Sequence, residues 1–113
     1  MRPDDRVRVI HMIEACEELE RFISGRVPKD LETDRMLLFA VVRALEVLGE
    51  AGAGVTPETR LLAPEIPWTL IVATRNRLIH GYFDIDSEIV WTTASEEVPV
   101  LVPLLINLRN ELS

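Results

Sequence analysis

Val9, Ile10, Ile13, Cys16, Leu19 and Ile23 recur at intervals of three and four, which draws one apolar stripe along a helix. A second set, Leu37, Leu38, Val41, Val42, Leu45 and Leu48, makes a face wider than a surface helix needs, so this helix packs on two sides. Two such stripes restrict the chain to packed helices. Composition agrees: 48% of the 113 residues are hydrophobic, yet only two Trp, one Tyr and three Phe are present, so the core is built of Leu, Ile, Val and Ala. The length fits a single domain, 1–113, able to bury a core without disulfide or metal staples.

Local signals divide the chain further. The first helix is predicted to begin after Pro3-Asp4-Asp5, where acids suit the positive end of the dipole, and to run to Ser24 before Gly25. The loop GRVPKDLE follows, and Thr33 or Asp34 caps a second helix that continues to about Ala51. GEAGAGV reads as a helix C-cap and turn, because a phosphate loop wants a preceding strand and a following Lys with Ser or Thr. A short helix over PETRLLA leads through Pro64 and Pro67 into a third long helix, WTLIVATRNRLIHGYF, ended by Gly81. Asp86 or Ser87 caps a short helix and Ser95 a final one, in which Pro99 suits the first turn and Pro103 should kink or restart the run. No strand and no repeat is evident, and the expectation is an all-α bundle of four to five helices.

Charge narrows the partners. The net charge is −7, which argues against a broad basic footprint for duplex nucleic acid, so no DNA binding is expected. The lone Cys16 forms no internal disulfide, and MRPDDRVRVI is charged where a secretory signal would be apolar, so a cytoplasmic location is expected. The apolar runs MLLFAVV and VPVLVPLLI are short of the ~20 residues of a membrane span, and no membrane association is expected.

From Ile66 to Phe83 there is no Asp or Glu, and the window holds Arg75, Arg77 and His80. On a helix Asn76 and Arg77 share a face with His80, while Arg75 lies about 140° around and reaches the same end through its length. Gly81 would turn the chain and bring Tyr82 back beside the imidazole. A group titrating near neutrality, a guanidinium fork and a phenol are the parts for transesterification of an RNA phosphodiester without a metal. His80 would move a proton at the 2'-hydroxyl and Arg75 would stabilise phosphorane charge. One histidine does not serve easily as both base and acid, so two-fold pairing with a second His80 across the interface is expected. The helix C-terminus raises the His80 pKa and the two arginines lower it, with similar weight. Basic residues at a helix end also favour the dipole without any further role, and that reading stays open.

The string RNRLIHGYFDID, preceded by PEIPWTLIVATRN and followed by IVW, resembles the HepT-like branch of the HEPN superfamily, marked by Arg, four residues, His, one residue and Tyr. Here these are Arg75, His80 and Tyr82, with Asn76 as the supporting polar residue. VIHMIEACEELERF and AVVRALEVLGEA match the branch in order and spacing, so the likeness covers nearly the whole chain. It implies an antiparallel helical bundle, a homodimer with two motifs facing across a cleft, and a metal-independent, cofactor-free endoribonuclease toxin. The implied partner is a minimal nucleotidyltransferase antitoxin that attaches AMP to Tyr82, where an anionic adduct would fill the pocket and compete for Arg75. Arg77 as a phosphate or RNA contact is an inference beyond the motif. The glycine-rich GEAGAG departs from the polar or basic residue frequent there in the family.

Other residues read as structural. His11 is a packing or surface residue, Cys16 a core residue, and Trp68 and Trp91 are anchors of the core or a dimer interface. Two further functions stay in view. One is a non-catalytic helical partner that presents Tyr82 to the nucleotidyltransferase, favoured by the acidic charge. The other is a scaffold whose RNxxxH set only caps a helix.

Overall fold

The computed structural model describes residues 3–78 and 84–112, the side chains of Pro3 and Arg75 excepted. Every regular element among them is helical. The first helix, α1 (Pro3–Ile23), opens on Asp4 and Asp5 and carries Arg21 in its last turn, as the dipole favours. Its buried stripe is Val9, Met12, Ile13, Ala15, Cys16 and Leu19, while Ile10 and Ile23 sit half-buried at its edge. Gly25, at φ 74°, ends the helix.

The expected loop contains a turn of helix, α2 (Asp30–Thr33), whose Leu31 is buried. Asp34 then caps α3 (Arg35–Gly54), its carboxylate accepting from the Leu37 N–H at 3.1 Å. The second helix therefore outruns its expected end at Ala51, and GEAGAG is helix rather than turn. Packing supplies the reason. Gly49 and Gly52 lie on one face, and a Cβ at Gly49 would stand 2.9 Å from the Ile71 carbonyl oxygen. One at Gly52 would stand 3.1 Å from Ile71 Cγ2 and 3.3 Å from Met12 Cε. Glycine here lets another backbone approach; it does not supply a left-handed turn.

Antiparallel α1 and α3 meet end to end at a polar knot. Asp5 is fully buried and accepts from Thr56 Oγ1 and Thr59 Oγ1, both at 2.6 Å, and from the Thr56 N–H at 3.2 Å. It thus closes the N-terminus of α4 (Pro57–Arg60). Arg60 turns back onto α3, donating to Val55 O and Gly52 O at 3.1 Å each, where carbonyls of a helix end lack intrahelical partners. Its guanidinium also lies over the ring of Trp68, a buried anchor whose indole N–H donates to Ala63 O.

The third long helix is broken. It forms α5 (Trp68–Val72) and α6 (Thr74–Leu78), with Ala73 between them at ψ 4°. Ile71, Val72 and Thr74 are β-branched and weak helix formers, and Thr74 Oγ1 donates to Leu70 O at 3.2 Å, a back-bond that bends helices.

Asp86 caps α7 (Ser87–Thr92) through the Ile89 N–H at 3.2 Å. No restart follows at Ser95: a π-helical turn (Thr93–Glu97) carries the chain straight into α8 (Val98–Glu111). Ser95 Oγ instead donates to Trp91 O at 2.7 Å. Pro99 occupies the first turn of α8, and Pro103, the next residue on that exposed face, lies inside a helix that does not end there. Water reaches that face, so the missing N–H strands no buried carbonyl. The joined run, Ser87–Glu111, is 25 residues and contains an 18-residue stretch with a mean hydropathy of 1.4, long and apolar enough to cross a bilayer by those measures alone. It exceeds the apolar runs evident in the sequence because the π turn continues through Glu96 and Glu97. In this fold Val90, Ala94, Val98, Leu101, Leu105 and Leu108 bury one of its faces, and α8 packs on α1.

Candidate active site around the α6 helix

The basic window falls on α6 and the residues after it. Arg75 and Asn76 lie in α6, where Asn76 is exposed, and His80, Gly81 and Tyr82 lie outside the described residues. The ends of that segment are anchored. Leu78 is fully buried, and its carbonyl accepts from the Asp86 N–H at 2.8 Å, so the residue closing α6 meets the residue capping α7.

Arg77 is where the structure changes the sequence picture. Its Nη1 and Nη2 donate to Glu97 Oε1 and Oε2 at 3.3 and 3.2 Å, a two-pronged pair across to the π turn. The local positive sign of the Ile66 to Phe83 window is thus partly neutralised from twenty residues away. An RNA phosphate at Arg77 would have to compete with Glu97.

Two hollows flank this pair. One of about 470 Å³ lies between α3, α5 and the π turn, with Leu48, Ile71, Thr93 and Leu101 in its wall. The other, of about 500 Å³, is lined by Pro28, Ile89 and Trp91. Arg77, Thr92 and Glu97 form the wall common to both.

Outside this region two buried titratable groups, Cys16 and Asp5, have structural roles. Burial pushes the Cys16 thiol up to about 12, with Glu20 and Glu17 adding to it, so the thiol is an inert core group. Burial also acts to raise Asp5, but hydrogen bonds from Thr56 and Thr59, with the Arg8 charge, outweigh it and hold the carboxyl below its ordinary value. His11 is exposed on α1. Among the described residues no three His, Cys, Asp or Glu side chains converge as metal ligands.

Sequence reasoning missed Glu97 and Asp5 as partners. Glu97 left a faint trace: the apolar positions Val90, Ala94 and Val98 step by four twice, overshooting a regular α-helix by about 80°. Asp5 left none, since its partners lie 51 and 54 residues on.

Comparison with known proteins decides the family. The ribonuclease HepT-like family matches residues 12–108, a span that includes the whole Arg75-to-Tyr82 string. The chain belongs to the HepT-like ribonuclease family. It is 40% identical over 88 residues to a probable ribonuclease HepT of Thermococcus cleftensis, covering 78% of this chain and 80% of that one. A candidate RNase of Caldanaerobacter subterraneus subsp. tengcongensis is 36% identical over 91 residues, 80% of this chain and 81% of its own. A candidate RNase of Methanocaldococcus jannaschii is 32% identical over 96 residues, covering 85% and 88%. No solved structure matches the chain. Within the matched span, Arg75 and Asn76 lie in α6, and His80 and Tyr82 follow it in the sequence.

Proposed function

We propose that this protein is the toxin of a toxin–antitoxin pair, an endoribonuclease that cleaves RNA by transesterification without a metal. Ribonuclease chemistry comes with the family. The observation that carries the finer reading is the complete Arg75, His80, Tyr82 spacing inside the family-matched span. His80 takes the proton from the attacking 2'-hydroxyl, and Arg75 stabilises charge as the phosphorane forms. Asn76, exposed on the same short helix, orients the phosphate. A second copy of the chain contributes the other His80 as acid for the leaving oxygen, so the working unit is a cytoplasmic homodimer.

Tyr82 is the off-switch in this reading. A cognate minimal nucleotidyltransferase adds AMP there, and the adduct's phosphate competes for Arg75. RNA cleavage and growth arrest with Arg75→Ala and His80→Ala test the catalytic assignment; variants as toxic as wild type would refute it.

A second reading is favoured by two observations, the net charge of −7 and the capture of Arg77 by Glu97, both of which weaken RNA binding. In it the chain is a non-catalytic partner that presents Tyr82 to the nucleotidyltransferase. Intact mass after incubation with that enzyme and ATP separates the readings when set beside the cleavage assay. AMP additions that vanish in Tyr82→Phe, without any RNA cleavage, favour the second; no additions to wild type remove both the second reading and the modification from the first.

A further inference from the structure

We propose that Glu97 is a positioning residue for RNA cleavage: by gripping both prongs of Arg77 it fixes the rotation of α6, which carries Arg75 and leads into His80. The proposal rests on the reading of Arg75 and His80 as the groups that act on RNA.

A five-residue helix cannot hold itself in place, so what holds α6 sets where its side chains go. Several ties act at its ends or along its axis. Leu78 is buried, Thr74 Oγ1 bonds Leu70 O, the Arg77 N–H bonds Ala73 O at 3.2 Å, and Leu78 O accepts from Asp86. Thr74 and Leu78, both buried and one turn apart, already turn one face of α6 to the core. The Arg77 fork on Glu97 is the long-reach contact at the rim that holds this setting against a partial roll. Arg75 and Arg77 are two residues apart, hence about 160° around the helix from one another. Any roll that carries Arg77 away from Glu97 sweeps Arg75 through the same angle.

The aim of Glu97 is set by an uncommon backbone feature. It is the last residue of the π turn, and such turns occur mostly as single-turn interruptions, often at functional positions. The wider turn lets Val90, Ala94 and Val98 all face the core while Glu97, half-exposed at the rim, faces α6. The turn buries Thr93 Oγ1 with no hydrogen-bond partner among the described residues. The pair itself adds little to stability, with 28% of the Arg77 side chain and 42% of that of Glu97 in solvent. A contact of small stabilising value, aimed by a π turn at the helix that carries Arg75, acts on geometry.

The test uses the intact chain and a single-stranded RNA substrate. Glu97→Gln is expected to lower kcat about tenfold with KM within about twofold of wild type, because misplacement costs rate before it costs binding. Glu97→Asp recovers part of the loss, and Arg77→Met with Glu97→Gln together are no slower than Arg77→Met alone. Hydrogen exchange gives a readout independent of activity. In Glu97→Gln the Arg77 and Asp86 amides lose about tenfold protection while α1 and α3 keep theirs. Unchanged kcat, a lower KM at unchanged kcat because the freed Arg77 grips RNA, or unchanged exchange at both amides overturns the proposal. Arg75→Ala and His80→Ala run alongside: wild-type cleavage by these two sinks the site reading, a result separable from failure at Glu97 alone.

Discussion

Asp5 and Glu97 are carboxylates that tie distant parts of the chain together, Asp5 to Thr56 and Thr59 and Glu97 to Arg77. Their settings differ. Asp5 has no exposure, sits where α1 meets the end of α3, and its oxygens are engaged by two hydroxyls and a backbone N–H. Glu97 stands 42% exposed on a π turn, and among the described residues its partner is the Arg77 guanidinium at 3.2 and 3.3 Å. A buried, fully satisfied carboxylate is costly to disturb, because every donor around it is stranded when it goes. A half-exposed ion pair is cheap to lose in stability and leaves direction as its effect. The fold thus has an end built to stay closed and an end built to aim.

The largest effects belong to the aiming end. Arg75→Ala and His80→Ala are each expected to slow RNA cleavage by at least about a hundredfold while leaving the unfolding temperature within about 2 °C of wild type. Cleavage kinetics with a thermal melt check both halves. A large drop in melting temperature would show that α6 is structural in the same sense as the Asp5 knot, and the contrast would fail.

Next comes the closed end. Asp5→Ala strands two threonine hydroxyls and the Thr56 N–H, at a cost of about 3 kcal/mol in unfolding free energy. Denaturant titration measures it. The pH dependence has a definite sign. The folded carboxyl titrates below its ordinary value of 3.8, so its contribution is complete above about pH 4 and drains away as pH falls through the lower folded value. Asp5→Asn is expected to flatten that acid limb, and an unaltered limb would assign it to other carboxylates.

Gly49→Ala probes the joint between the two ends. The new Cβ meets the Ile71 carbonyl oxygen at 2.9 Å, so backbone must shift. Ala gains helix propensity of about 1 kcal/mol over Gly, and overpacking costs typically about 1–3 kcal/mol, which leaves a net loss near 1 kcal/mol. Because the shift falls on α5, which leads into α6, RNA cleavage should drop more than stability. Equal stability and full activity would mean that α5 yields freely.

How much of this was legible follows from range. The stripes of α1 and α3 could be read because Val9, Ile13, Cys16 and Leu19, like Val41, Val42, Leu45 and Leu48, are placed by helical period alone. The caps at Asp34 and Asp86 are contacts within three residues and were equally readable. What failed was set by partners far along the chain. GEAGAG looks like a turn until Ile71 is seen against Gly49, and WTLIVATRNRL looks like one helix until Thr74 bends it. Arg77 looked free until Glu97 arrived from the π turn. The string is readable as spacing, since Arg75, His80 and Tyr82 are close in sequence, whereas the ties that hold α6, Glu97 and Asp86, come from farther along the chain.

The smallest expected effect sharpens the contrast from the core of α1. Cys16 is buried beside Glu17 and Glu20 with its thiol pushed up to about 12, so at pH 8 almost no thiolate exists and a thiol reagent has no path to it. Labelling of the native chain with a thiol-reactive chromophore should therefore proceed only through opening of α1. Its rate should rise in Asp5→Ala, which loosens the end where α1 meets α4, and stay unchanged in Glu97→Gln, which disturbs α6. If Glu97→Gln accelerated labelling as much as Asp5→Ala does, the two carboxylates would hold one cooperative unit, and the separation of a closing end from an aiming end would not stand.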